Sequence, residues 1–449
     1  MWDKNRFREF TLDNGLEVAL YETDEPIFAG KLIVNNAGFS SEKKDEKGVA
    51  HFLEHMLFSV TPNSLRQDDY SRIRKDAKFM TGATHFCKVL YCGSGFSHDV
   101  INYLKFLSAS LSHPSFDTDE VEKEKHVILR EISDKRYEQE GLKISFMRKL
   151  FPENHPYMGF NIGSEHDISK INPDVLRKFH HRTYFSDNME LILTGGLPPN
   201  IEEIVKDLFG DLPRGEKKQR QDIHIPLFTE SALYHFPSPG FKNDVLPEQS
   251  NALVMIGFNV TPKTLKQSMV YSLVKYLFSD YDFNLPVFKE FRRKYGMAYS
   301  IGCEHTLVNP STNFDAHIII TSHVHAERLK QGISWFLELI GDLQDNLLDE
   351  YTLDRLKQVN KYMSHVGFTR SKDPMNDGVL NYTYMTKILG KDILDGGLIM
   401  DTITSEDVME EMRKYAPRNF QKDPCLIHVY DPLKSPIAMP TREEVRKFS

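Results

Sequence analysis

Short apolar runs open the chain and then give way to a helical period. Val18 to Tyr21 and Ala29 to Val34 are bounded by turn residues and read as strands. Thr11-Leu12-Asp13-Asn14-Gly15-Leu16 is a hairpin signal, because Asn-Gly accepts positive φ. From Gly48 the pattern changes: Val49, Phe52, Leu53, Met56 and Leu57 recur on helical faces. Val89-Leu90-Tyr91 predicts another strand, and Val100 to Leu111 and Asp119 to Glu138 predict helices. Met189 to Leu193 closes the first half as a strand ending at Gly195-Gly196. Asp211 to Asp222 is polar, charged and without apolar period, which reads as a linker.

The block after the linker resembles the block before it. Val49 to Phe58 lines up with Met269 to Phe278, sharing Leu53/Leu273, Leu57/Leu277 and Phe58/Phe278 on one helix face. At the same offset Arg72 falls opposite Arg292 and Phe79 opposite Tyr299. Ile171-Asn172-Pro173-Asp174-Val175, followed by Tyr184 and Asn188, resembles Ile403 to Val408, followed by Tyr415 and Asn419. Several matches in one order indicate duplication. The expected fold is α+β: two homologous lobes, each a mainly antiparallel sheet covered by helices. The expected boundaries are a first domain over 1–212, a linker over 213–227 and a second domain over 228–449. Length alone, 449 residues at ~150 per domain, suggests about three domains, and the repeat reduces that to two.

Composition narrows the class. Hydrophobic residues make 40% and charged residues 27%, enough for a packed core. A net charge of −8 argues against general nucleic-acid binding. Four cysteines, Cys87, Cys92, Cys303 and Cys425, are too few for a disulfide scaffold and fit a reducing compartment. No apolar leader and no run of 18 or more apolar residues is visible. The expected location is cytoplasmic, or matrix-like after removal of a leader, without membrane association.

His51-Phe52-Leu53-Glu54-His55 carries the chemistry. On a helix His51 and His55 lie one turn apart on one face, where two imidazoles can share a tetrahedral Zn²⁺. Glu54 flanks that position and suits a general base that takes a proton from metal-bound water. The order H-x-x-E-H inverts the zincin H-E-x-x-H. A catalytic zinc needs a third protein ligand. Glu124 and Glu131 sit about two turns apart on one face of the Asp119–Glu138 run, although most acids in such a run are a solvated face.

The segment Gly48 to Phe58, GVAHFLEHMLF, closely resembles the pitrilysin-type metallopeptidases. The resemblance implies His51, His55 and Glu131 as ligands of one zinc per chain and Glu54 as base, with Glu124 orienting a ligand. Asn154-His155-Pro156-Tyr157, Gly163, Phe179-His180, Tyr184 and Asn188-Met189 resemble the family's first-domain tail. Glu290 to Ser300 resembles its Arg-(six residues)-Tyr element, which would give Arg292 a substrate carbonyl or carboxylate and Tyr299 the developing oxyanion. The family usually carries Asn-Ala-x-Thr on a substrate-pairing edge strand; here Gly82 stands at the Asn position of Thr81-Gly82-Ala83-Thr84-His85-Phe86. His85, Cys87 and Cys92 near that strand could form a second metal site, against the plainer reading of ordinary core residues.

These features imply a zinc endopeptidase acting on peptides or extended segments, bound by β-strand addition inside a closed chamber. The chain would then be one clamshell half. Tyr271, Val274 and Lys275 replace the metal residues in its second block. A homodimer would place Arg292 and Tyr299 of one subunit over the zinc of the other, and a heterodimer with a motif-less homologue is the competing arrangement. The alternatives to an enzyme are a non-catalytic scaffold subunit and a binding protein with a structural zinc.

Overall fold

The largely apolar central strands of the first half need cover on both faces, and the fold supplies it. The computed structural model describes residues 3–76, 79–135, 162–216, 227–237, 251–279, 285, 287, 298–309, 313–367, 377–389 and 396–431. These form two compact units, 1–221 with 366–394, and 222–365 with 395–449. The segments 136–161 and 217–226 lie outside the described residues, so the motif at Asn154–Tyr157, the tail of the predicted 119–138 helix and part of the predicted linker do too.

The first unit holds a six-stranded sheet in the order β1-β2-β6-β3-β5-β4. The strands are β1 (Phe7–Thr11), β2 (Glu17–Glu22), β3 (Ile27–Asn35), β4 (Phe79–Thr84), β5 (Lys88–Phe96) and β6 (Met189–Gly195). β1 and β2 form the hairpin that Asn14-Gly15 predicts, with Gly15 at φ 91°. β6 is buried along its whole length and β3 along all but its end residues, hence their largely apolar sequence, interrupted by the buried Lys31, Glu190 and Thr194. β2 and β6 run parallel, and every other pair is antiparallel. The helices are α1 (Val49–Ser59), α2 (Gln67–Asp76), α3 (Val100–Ser112), α4 (Thr118–Lys135), α5 (Glu165–Lys170), α6 (Pro173–Thr183) and α7 (Ile201–Phe209).

The second unit holds a five-stranded sheet, β7-β11-β8-β10-β9. Its strands are β7 (Ala232–Pro237), β8 (Asn251–Val260), β9 (Ala298–Asn309), β10 (Asn313–His325) and β11 (Cys425–Asp431). β7 and β11 are parallel, and the remaining pairs are antiparallel. Read across, this repeats β2-β6-β3-β5-β4 in order and in direction, so the duplication read from scattered residues is a repeat of topology. α8 (Leu265–Leu277) follows β8 as α1 follows β3. α6 and α13 (Ser405–Tyr415) both start one residue after a side-chain cap, Asn172 and Thr404, each preceded by a buried isoleucine. Between these lie α9 (Leu329–Asp345), α10 (Glu350–Gly367), α11 (Gly378–Leu389) and α12 (Gly396–Asp401).

One segment departs from the expected 228–449 domain. Residues 366–394 group with the first unit. There α11 packs on β2, β3 and β6, adding Val379 and Leu380 to a core with Ala19, Ile33 and Cys92. Lys387 bonds to Glu17 and, at 2.7 Å, to Glu190. A linear division of the sequence has no means of anticipating that exchange. Among the described residues no helix is long and apolar enough to cross a membrane.

Candidate metal centre

The centre is built on α1 and α4, both in the first unit. Two devices start α1 where the sequence changes period. Gly48 takes φ 86°, and a Cβ there would lie 2.6 Å from the Ile162 carbonyl oxygen. The carboxylate of Glu42 accepts from the Ala50 N–H at 3.1 Å, satisfying an orphan donor of the first turn. Burial pushes that carboxyl up to about 7 against the opposing pull of the Ala50 and Gly48 amides. The helix then buries Val49, Ala50, Phe52, Leu53, Met56, Leu57 and Phe58, and with them the polar side chains His51 and Glu54.

α4 begins on Asp117, whose Oδ1 accepts from the Asp119 amide at 2.9 Å. Its inner face carries Val121, Ile128 and Ile132, all buried, and the same face turns Glu124 and Glu131 toward α1. Oε2 of Glu131 lies 3.6 Å from Nε2 of His51 and 3.5 Å from Nε2 of His55. Oε2 of Glu124 accepts from Nδ1 of His55 at 3.1 Å, which leaves Nε2 of that ring turned toward Glu131.

These distances suit an ion. Ligand atoms about 2.0–2.2 Å from a tetrahedral zinc stand about 3.3–3.6 Å from one another. Among the described residues, His51, His55 and Glu131 are the one grouping of three or more His, Cys, Asp or Glu side chains whose atoms converge closely enough to hold a metal. Burial works against an imidazolium at His55, but hydrogen bonds to Glu124 and Glu131, with Glu54 nearby, outweigh it and raise this histidine to about 9.

Glu54 faces the other side, toward the edge strand β4. Thr84 Oγ1 donates to Glu54 Oε2 at 2.8 Å. The next strand presents Tyr91, paired in register with Gly82, and the Tyr91 hydroxyl meets that of Tyr184 at 2.7 Å. Burial, the pairing and the charge of Glu54 hold the Tyr91 phenol well above its ordinary value, so it stays neutral.

Of the residues singled out in the sequence, His51, Glu54, His55, Glu124 and Glu131 therefore come together. Arg292 lies outside the described residues. Tyr299 is on β9 of the second unit, and its side chain is outside them as well. His85 and Cys87 sit in the hairpin between β4 and β5, with burial lowering His85 to about 4. Cys92 belongs to the core beneath α11. Sequence reasoning missed Thr84 and Glu42. Each acts on a helix residue eight or more positions away, and such a pairing leaves no local signature.

Residues 18–153 match the family description "Insulinase (Peptidase family M16)", and residues 170–360 match "Peptidase M16 inactive domain". The chain is 27% identical over 223 residues to the chloroplastic stromal processing peptidase of rice. That match takes in 47% of this chain and 17% of the relative, so the chain spans about a sixth of that protein. It is 24% identical over 372 residues to the uncharacterized zinc protease YmxG of Bacillus subtilis, covering 79% of this chain and 82% of the relative. Among solved structures, a peptidase M16 inactive domain from Pseudomonas fluorescens superposes with a TM-score of 0.77 at 18% identity, over 97% of this chain and 100% of that one. Pitrilysin superposes with a TM-score of 0.73 at 18% identity, over 98% of this chain and 46% of that one. At such identities the superpositions speak for the fold. The two family matches fall in order along the chain, and together they place it in peptidase family M16, of the pitrilysin type.

Proposed function

We propose that the chain is a zinc-dependent endopeptidase acting on peptides or extended protein segments. The observation that carries this reading is the convergence of His51 Nε2, His55 Nε2 and Glu131 Oε2, within 3.5–3.6 Å of the shared carboxylate oxygen, beside a buried carboxylate at Glu54. Three protein ligands leave the fourth position of a tetrahedral ion to water or substrate, as catalytic rather than structural sites do. Zinc bound there would polarise the scissile carbonyl and make its water acidic enough to deprotonate near neutral pH.

The protein's own groups do the rest. Glu54 takes the proton of the attacking water and returns it to the leaving amine. Glu124 fixes the His55 ring in the tautomer that keeps Nε2 available. Among the described residues β4 pairs only with β5 and ends its sheet, an arrangement that would let an extended peptide add along the other edge through backbone bonds alone. Arg292 and Tyr299 would bind the carbonyl and the developing oxyanion. The chain matches 46% of pitrilysin, and two copies would supply the length of such a molecule. A homodimer with composite sites is the arrangement proposed.

The test is metal analysis with peptide cleavage. About one zinc per chain is expected, with activity lost on chelation, restored by zinc and abolished in Glu54→Gln. A protein that binds no zinc and cleaves nothing would favour the second reading, a non-catalytic partner subunit; the inactive-domain description matches residues 170–360 and so does not bear on the centre in α1 and α4. Mixing Arg292→Ala with Glu54→Gln chains tests the homodimer: recovered activity supports shared sites, and none counts against them.

A further inference from the structure

Glu54 is buried, yet it must hold its carboxylate in one place to serve as a base. What holds it is on β4. Gly82 and Thr84 are two residues apart on that strand and so share a face, the one toward α1. Thr84 Oγ1 donates to Glu54 Oε2 at 2.8 Å. Directly beside it, the other oxygen of Glu54 fills the space of an absent side chain: a Cβ on Gly82 would fall 2.3 Å from Oε1, 2.9 Å from Cδ and 3.0 Å from Cγ. The Gly82 backbone is outside the left-handed region, so what glycine supplies here is room and not conformation: with a Cβ in that place the Glu54 carboxylate would have to shift.

We propose that Thr84 is the positioning residue of the Glu54 carboxylate, which it anchors in a seat that Gly82 leaves open on the edge strand. Two independent features, a donor and a void, act on the two oxygens of one carboxyl group. The anchoring fixes the rotation of the carboxylate about its last torsion, a broad one for glutamate when nothing restrains it. It also places the base on the strand whose free edge would pair with substrate, so that strand would register both the peptide and the group that activates its attacker. A one-ångström error in such a group is costly in rate. The inference rests on the peptidase reading for its kinetic consequence but not for its geometry.

The test uses the full-length, zinc-loaded protein and three variants. Thr84→Val keeps the shape and removes the donor, Thr84→Ser keeps the donor, and Gly82→Ala fills the seat. Expected for Thr84→Val is a fall in kcat of roughly tenfold or more, with KM within about threefold and zinc content unchanged. Thr84→Ser should restore kcat to within about threefold, and Gly82→Ala should behave like Thr84→Val. In crystal structures of the zinc-loaded wild type and Thr84→Val, the Glu54 carboxylate should leave its place over Gly82 in the variant. Wild-type kcat in Thr84→Val, an equal loss in Thr84→Ser, or an unmoved carboxylate would overturn the assignment. If the zinc-loaded wild type cleaves no peptide, the peptidase reading falls, and the crystallographic comparison alone decides the role of Thr84.

Discussion

Glu124 accepts a hydrogen bond from one nitrogen of His55, at 3.1 Å, while the other nitrogen of the same ring faces Glu131 at 3.5 Å. The imidazole is thus held from behind by one carboxylate and offered to the metal position beside another. On the proposed reading that relay would make Glu124 a tuner of zinc affinity. Glu124→Ala should weaken zinc binding by roughly 10–100-fold while leaving the fold intact, and Glu124→Gln should weaken it less, since an amide oxygen still accepts from Nδ1. Competition with a chelating dye measures this, and an unchanged affinity in Glu124→Ala would remove Glu124 from the centre.

The same relay sets a proton balance for metal binding. Without metal His55 stands at about 9, so at pH 7 it carries a proton that Nε2 must release before it can ligate. Zinc binding at pH 7 should release about one proton per site, and apparent affinity should rise with pH until about 9. Calorimetry in buffers of different ionisation enthalpy reads the proton directly. Binding heats independent of buffer would contradict it.

Much of this was legible before any coordinates. The helix from Gly48, the strands Val18–Tyr21 and Ala29–Val34 and the hairpin at Asn14-Gly15 each rest on local pattern; the strands fall inside β2 and β3, the helix follows its cap Gly48, and the turn joins β1 to β2. His51, Glu54 and His55 are readable because helical spacing fixes their relation. Glu124 and Glu131 needed a resemblance as well, since nothing local says which acids of α4 face inward. Two features had no local trace. The transfer of α11 to the first unit depends on side chains such as Lys387 meeting partners hundreds of residues earlier. The seat at Gly82 depends on a helix residue standing over the strand, so from sequence the glycine reads only as a departure from a motif.

Buried histidines give the metal-free protein a second pH signature. Burial lowers both His85 and His180 to about 4, from 6.5 in an open chain. The unfolded chain therefore takes up protons that the fold refuses, so stability is full above about pH 6.5 and falls as pH drops toward 4. Glu42 acts oppositely: its carboxyl, raised to about 7, binds a proton in the folded state first and favours the fold as pH falls from 7 to 4.5. Two imidazoles outweigh one carboxyl, leaving a net loss of roughly 3 kcal/mol at most between pH 7 and pH 4. Glu42→Gln removes the opposing group and should steepen the loss. Urea midpoints at pH 7, 6 and 5 test this, and a variant with the shallower slope would refute it.

Lys387 tests how far α11 contributes to the first unit. Its ammonium sits between Glu17 and Glu190, with Glu190 nearly fully buried. Burial disfavours the charge, but the two carboxylates outweigh it and raise the lysine above its ordinary value. Lys387→Met removes the ammonium that both carboxylates bond, one of them away from water, and should cost about 3–5 kcal/mol. Adding Glu190→Gln to that variant removes the buried charge and should recover more than half of the loss, although each change alone destabilises. Simple addition of the two penalties in denaturant unfolding would mean that the lysine and the glutamate do not act as a unit.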